Sequence, residues 1–197
     1  MKIDIGIATR TLPGQRESGD LSLVKRMGGS VLIAVVDGLG HGEEAASAAH
    51  AAVGVIERHA KESLPQLVTR CHAALSGTRG VVLNLALLEP KARRLTWLGV
   101  GNVCGVLARG DGAARPPRVS LVPLAGFVGA EPVLATARSV PLQRGDTLIF
   151  ATDGVSTNFT DSLQTRTAPQ AFADDILDRF ATGRDDALVV VARYVGG

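Results

Sequence analysis

The sequence predicts an α+β sandwich in which helices flank stacked sheets. Three observations carry this. Short alternating or β-branched apolar runs fill the first 36 residues and the stretch from 80 to 151. Two helical patterns lie next to each other between them, and one more amphipathic helix precedes a last apolar strand.

Ile3, Ile5 and Ile7 alternate with Asp4, Gly6 and Ala8, and Leu21-Ser22-Leu23-Val24 repeats the alternation, so two half-buried strands surround the loop Leu12 to Gly19. Ser30 to Val36 is continuously apolar, as in a strand covered on both faces. From Glu43 to about Glu62 the period changes. Ala45, Ala48, Ala49, Ala52, Val53 and Ile56 fall at helical spacing, and Glu43 and Glu44 complement the dipole at the start. Ser63 is a candidate N-cap for a second helix with Pro65 in its first turn and Leu67, Val68, Cys71 and Leu75 on one face, ended by Gly77.

Beyond Gly80 come strand-like runs at Val81 to Leu88, Leu95 to Val100, Val103 to Ala108, Val119 to Val122, Val133 to Val140 and Thr147 to Ala151. Turn chemistry separates them, including Glu89-Pro90, Gly110-Asp111-Gly112 and Arg144-Gly145-Asp146. This stretch reads as an antiparallel meander, with Gly110 to Arg118 as a hairpin loop. The helix Pro169 to Phe180 presents Phe172, Ile176 and Phe180, and Ala187 to Tyr194 is the last strand. No repeat or linker divides the chain, so residues 1–197 are expected to form a single domain.

An apolar fraction of 46% with 20% charged residues argues against disorder, and charged or glycine residues interrupt the apolar runs well short of a membrane span. The first residues enter a strand pattern without a basic leader or h-region, so a cytoplasmic location is expected. Cys71 and Cys104 are too far apart in sequence for a metal knuckle or redox motif and read as buried small hydrophobes. Net charge is only +2, arginines are scattered and aromatics are few, which disfavours nucleic acid as a ligand and favours a protein partner.

Chemistry concentrates in four separated acidic sites: Asp20, Asp37, Asp153, and the pair Asp185-Asp186. Asp37 and Asp153 end apolar runs and each is followed by glycine; the pair opens the last strand. Carboxylates at strand ends can converge at one end of a sheet stack, where bound cations would offset their repulsion. The turn Gly38-Leu39-Gly40-His41-Gly42 has two readings. A dinucleotide-binding fingerprint would need glycine where Glu43 stands, and Asp37, Glu43 and Glu44 would repel a pyrophosphate. A pair of hard divalent cations, bridged by Asp37 and touched by the Gly38 carbonyl, suits the oxygen donors better. Two such ions can share a water, lower its pKa and hold it for in-line attack on phosphorus.

Ser18-Gly19-Asp20, Asp37-Gly38-Leu39-Gly40-His41-Gly42, Gly99-Val100-Gly101-Asn102-Val103, Ala151-Thr152-Asp153-Gly154 and Asp185-Asp186-Ala187-Leu188 occur in an order that resembles the PP2C-like (PPM) metal-dependent protein phosphatases. Within that superfamily the chain is similar to the small bacterial stressosome serine phosphatases of the RsbX type. The resemblance implies a four-layer α-β-β-α sandwich, two stacked and mainly antiparallel sheets flanked by helices. It also implies Mn²⁺ or Mg²⁺ dependence, with two ions, and hydrolysis of phosphoserine or phosphothreonine. Carried over by motif, Asp37 bridges both metals, Gly38 offers its carbonyl to one, Asp153 binds the other, and Asp185 is the final ligand with Asp186 as the alternative. Asp20 holds metal-bound water and helps orient the nucleophile.

Arg16 lies near the place of the phosphate-binding arginine of eukaryotic members without a secure register, and reads equally as a surface arginine in a loop; His41 stands two residues beyond the position of their general-acid histidine. His41 therefore reads as a general acid, a ligand-orienting group or a loop contact, and Asn102 as site support or a tight-turn residue. His50, His59 and His72 lack metal-ligand spacing. The expected activity is that of a metal-dependent phosphoserine/phosphothreonine protein phosphatase. By the same resemblance, its substrates are phosphorylated STAS-domain proteins of a stressosome-like complex, and it resets a stress signal. The rival is a catalytically silent phosphatase-like module that only binds a partner. Leu124 to Pro132 is a candidate surface loop for substrate choice or a plain connector.

Overall fold

A computed structural model describes residues 2–110, 116–130 and 134–196. In chain order the strands are β1 (Lys2–Arg10), β2 (Asp20–Met27) and β3 (Ser30–Gly38), followed by helices α1 (Glu43–Arg58) and α2 (Leu64–Ala74). Strands β4 (Val81–Glu89), β5 (Arg94–Val100), β6 (Cys104–Ala108), β7 (Arg118–Ser120), β8 (Arg138–Pro141) and β9 (Thr147–Ala151) come next. Helix α3 (Pro169–Phe180) and strand β10 (Ala187–Gly196) complete the fold, after a 3₁₀ turn at Thr157–Asp161.

The strands form two five-stranded sheets, in the orders β1-β10-β9-β6-β7 and β2-β3-β4-β5-β8. Every pairing within them is antiparallel. Helices α1 and α2 cover the outer face of the second sheet, and α3 packs on β1 and β10 of the first. This is the expected four-layer α-β-β-α sandwich.

Alternation along β3 shows how the layers are built. Val31, Ile33 and Val35 enter the core between the sheets, while Leu32, Ala34 and Val36 face the helices. Both sets are buried, which is why the run reads as continuously apolar. The inter-sheet core also takes Trp97, Phe150, Leu188 and Val190; the layer under α3 takes Ile149, Phe159, Phe172, Ile176 and Val191. Burying each large side chain of this kind contributes roughly 1.5–3 kcal/mol. Ala45, Ala48, Ala49 and Ala52 let α1 lie close on β3, and the Gln66 Oε1 accepts from both the Ser63 backbone N–H at 3.0 Å and its hydroxyl at 2.7 Å to cap α2.

Several expectations are corrected. Helix α1 stops at Arg58, not Glu62. The stretch after Gly80 is not one meander: β4, β5 and β8 extend one sheet while β6, β7 and β9 belong to the other. The run Val119 to Val122 contributes only the short edge strand β7. The run Val133 to Val140 contributes only β8; Leu134 is almost fully exposed, and residue 133 lies outside the described residues. Most of the hairpin loop read at Gly110 to Arg118, including Asp111-Gly112, also lies outside them. In the described part of Leu124 to Pro132, Val128 is buried and exchanges backbone hydrogen bonds with Val81 at 2.9 and 2.8 Å, so this part is a connector tied to the sheet.

Candidate active site

Antiparallel order decides where the acidic residues meet. β2 begins at Asp20 where β3 ends, and the two strands pair Asp20 directly opposite Asp37. β9 ends where β10 begins, so Asp153 and the pair Asp185-Asp186 emerge together from the other sheet. The crossing from β5 to β6 adds Asn102 at the same end. Five chain segments thus converge at one mouth of the sandwich.

Glycine makes the closest approaches possible. A Cβ on Gly38 would overlap the backbone carbonyl of Ala45 in the first turn of α1, and one on Gly154 would overlap the carbonyl oxygen of Asp186. The Gly38 N–H donates to the Gly19 carbonyl at 3.0 Å, and the Leu39 N–H donates to the Gly80 carbonyl at 3.1 Å. Backbone from β3, α1 and the segment before β2 is therefore stacked tightly around the Asp20–Asp37 pair.

The individual carboxylates have different surroundings. Asp20 is buried, and its Oδ2 accepts from the Thr152 hydroxyl at 2.7 Å; the Leu188 N–H in turn donates to Thr152 Oγ1 at 2.9 Å. Thr152 thus ties the end of one sheet to the first residue of the other. Asp153 is exposed and accepts from Asn102 Nδ2 at 2.9 Å. Asp186 is buried and spends both oxygens on backbone: Oδ1 accepts from the Leu12 N–H and Oδ2 from the Gly19 N–H, each at 2.7 Å. Asp185 is half-buried, lies in the field of Asp153 and His41, and among the described residues accepts a single hydrogen bond, from the Asp186 N–H at 2.8 Å.

Burial and mutual repulsion leave a strained charge distribution. Burial first, then the charges of Asp20, Asp153, Asp185 and Asp186, push the Asp37 carboxyl up to about 8. Burial raises Asp20 to about 7 despite the Thr152 hydrogen bond, with Asp186, Asp153 and Asp185 adding to the rise. Asp185 is also raised, first by burial, with the Asp186 N–H and His41 opposing. A set of mutually destabilised oxygen donors fits a hard divalent cation, which would relieve the repulsion. Among the described residues, no group of three or more His, Cys, Asp or Glu side chains is placed to hold a metal ion by itself.

Nothing in the sequence marks Thr152 as a site residue beyond its place inside the Ala151-Thr152-Asp153-Gly154 motif. Asn102 does more than turn the chain, since it holds Asp153. His41 makes a loop contact, its Nδ1 lying 3.3 Å from Gln15 Nε2, and Arg16 is exposed in the loop before β2. His59 pairs with Glu62 away from the mouth. Cys71 is buried, as expected, and its thiol is pushed up to about 12, whereas Cys104 is only partly buried, though burial raises its thiol as well.

The family model described as Stage II sporulation protein E (SpoIIE) matches residues 27–195. The phosphoserine phosphatase RsbX of Bacillus subtilis (strain 168) is 25% identical over 178 residues, spanning 90% of this chain and 87% of that protein. A solved structure described under the bacterial stressosome as a modular system adapted to control secondary messenger signalling superposes with a TM-score of 0.87 at 28% identity, covering 98% of this chain and 100% of that one. RsbX in complex with magnesium gives a TM-score of 0.87 at 22% identity, covering 97% and 94%. The catalytic domain of the serine threonine protein phosphatase PstP with two manganese ions gives 0.74 at 18% identity, covering 98% and 99%. These last two likenesses are of fold. By the match over most of its length and the four-layer architecture around the converged aspartates, this chain belongs to the SpoIIE family of PP2C-like phosphatases.

Proposed function

We propose that the chain is a metal-dependent protein-serine/threonine phosphatase that removes phosphate from phosphorylated STAS-domain proteins of a stressosome-like complex in the cytoplasm. One observation carries the catalytic part: the cross-strand pair Asp20–Asp37, raised to about 7 and about 8, shares its mouth with Asp153 and Asp185 from the other sheet. Asp37 with the Gly38 carbonyl, Asp153 and Asp185 would hold two Mg²⁺ or Mn²⁺ ions, with Asp20 reaching them through water. When bound, such ions lower the pKa of a shared water and neutralise charge on the phosphoryl group.

The chain's own residues set the rest. Thr152 fixes the rotamer of Asp20, so its carboxylate can accept a hydrogen bond from the attacking water and orient it in line. Asn102 holds Asp153 from the side. Asp186 ties the loop before β2 to the start of β10, keeping Asp20 and Asp185 in register across the sheets. No nucleophilic Cys or Ser is needed, and both thiols are held protonated.

An exposed mouth suits a protein substrate. A shallow groove of about 300 Å³ runs from Asn102 past Thr157, Thr160 and the exposed Val122, a candidate seat for residues flanking the phosphoserine. The stressosome substrate class rests on the likeness to RsbX and to the stressosome structure. The test is phosphate release from a phosphoserine-bearing STAS-domain protein with and without Mn²⁺. Mn²⁺-dependent release that vanishes in Asp37→Asn supports the proposal. Partner binding without turnover at saturating Mn²⁺ would replace it with a silent binding module.

A further inference from the structure

Most of the buried polar side chains in the described residues have an evident task. Asp20, Thr152 and Asp186 build the mouth, and Asp146 with Thr147 belongs to the network around Arg109 and Arg193. Asn84 stands apart from both groups. It lies in the middle of β4, fully buried, on the face where its neighbours Val82, Ala86 and Leu88 enter the inter-sheet core. An amide there is a poor choice for packing alone.

Two features show that the amide has a built place. Its Nδ2 donates to the Val103 carbonyl at 2.7 Å, and its Oδ1 is buried without a partner among the described residues. Across the β4–β5 ladder its partner is Gly99, where any Cβ would overlap that Oδ1. Gly99 therefore leaves room for the Asn84 side chain. Both contacts belong to one segment, Gly99 to Val103, which carries the chain from the second sheet into the first and presents Asn102. Asn102 in turn holds the Asp153 carboxylate at 2.9 Å.

We infer that Asn84 is a positioning residue for the metal-holding mouth: its amide pins the inter-sheet crossing at Val103, so that Asn102 fixes the direction of Asp153. The inference rests on the phosphatase reading and adds to it a residue deep in the core with no contact to substrate. Groups one hydrogen bond removed from a metal ligand typically change affinity 10- to 100-fold when lost. Asn84 acts one step further back, so a change of about threefold to tenfold in the Mn²⁺ dissociation constant is expected.

The experiment measures Mn²⁺ binding to the whole chain by calorimetry, together with the Mn²⁺ dependence of phosphate release, for wild type, Asn84→Leu, Asn84→Ser, Asn102→Ala and the double variant Asn84→Leu/Asn102→Ala. Leucine fills the volume without the hydrogen bond, and serine keeps polarity with too short a reach, so one variant serves if the other fails to fold. The inference predicts weaker Mn²⁺ binding in either folded Asn84 variant, well below its unfolding temperature. It also predicts that Asn84→Leu adds nothing once Asn102 is alanine. Wild-type Mn²⁺ affinity in the Asn84 variants with only a lowered Tm would overturn it, as would full additivity with Asn102→Ala. Absence of Mn²⁺ binding and of turnover in the wild type would instead defeat the phosphatase reading itself.

Discussion

Replacing Asp37 by asparagine is expected to stabilise the metal-free protein at alkaline pH and to abolish its stabilisation by metal. An aspartate raised in the fold from 3.8 to about 8 favours folding while it is protonated, and that contribution disappears as pH rises through the folded value. Wild-type stability without metal should therefore fall between about pH 4 and pH 8, the window set by those two values. At about 1.4 kcal/mol per pH unit the Asp37 contribution is at most about 6 kcal/mol. Asp37 keeps some contact with solvent, which screens its charge, so about 2 kcal/mol is a fairer expectation. Asparagine has the same shape and never ionises. In a chelator, Asp37→Asn should match the wild type at or below about pH 4 and melt about 4–8 °C higher near pH 8.5, at about 2–4 °C per kcal/mol for a chain of this size. Saturating Mn²⁺ should reverse the order, raising the wild type and leaving the variant unmoved. Thermal unfolding across pH, with chelator or Mn²⁺, reads all of this. A metal-free wild type that becomes more stable from pH 5 to pH 8, or an Asp37→Asn variant that gains as much from Mn²⁺ as the wild type, would refute the reasoning.

Asp185→Asn should weaken Mn²⁺ binding by more than about tenfold with little change in Tm. Asp186→Ala, which strands the Leu12 and Gly19 N–H groups, should destabilise by about 2–4 kcal/mol; calorimetry and denaturant titration separate the two. Thr152→Val removes the hydrogen bond that lowers Asp20, so the acidic limb of the rate profile should move to higher pH and kcat should drop about tenfold, seen in pH–rate measurements with saturating Mn²⁺. Arg109→Ala leaves the buried Asp146 carboxylate without its cation at 2.7 Å and should lose about 3–5 kcal/mol of stability, while turnover per folded molecule stays unchanged.

The parts of the fold legible in the sequence are those where one strand or helix carries its own signal. The apolar run of β3, the alanine face of α1 and the Phe172 and Ile176 side of α3 read correctly because burial on a given face imposes a period. The region after Gly80 was harder. Short β-branched runs look alike whichever sheet receives them, so nothing local told that β5 and β6 part company at Gly101-Asn102. The acidic residues were visible because carboxylates rarely end apolar strands without a reason. Their division of labour was not: Asp185 and Asp186 are adjacent, and only the three-dimensional placement of the Leu12 and Gly19 amides assigns one of them to backbone. Thr152 and Asn84 escaped notice for a related reason. A lone hydroxyl or amide inside a strand pattern gains meaning from partners 132 and 19 residues away in sequence.

The account stands on oxygen donors from two sheets meeting around cations. A crystal structure of the protein soaked in Mn²⁺, with the ions located by anomalous scattering, tests that most directly. The account predicts two ions at the mouth, with Asp37 between them, Asp153 and Asp185 as further ligands, and Asp186 still on the Leu12 and Gly19 amides. Manganese bound elsewhere, or a mouth that stays metal-free at saturating Mn²⁺, would contradict it.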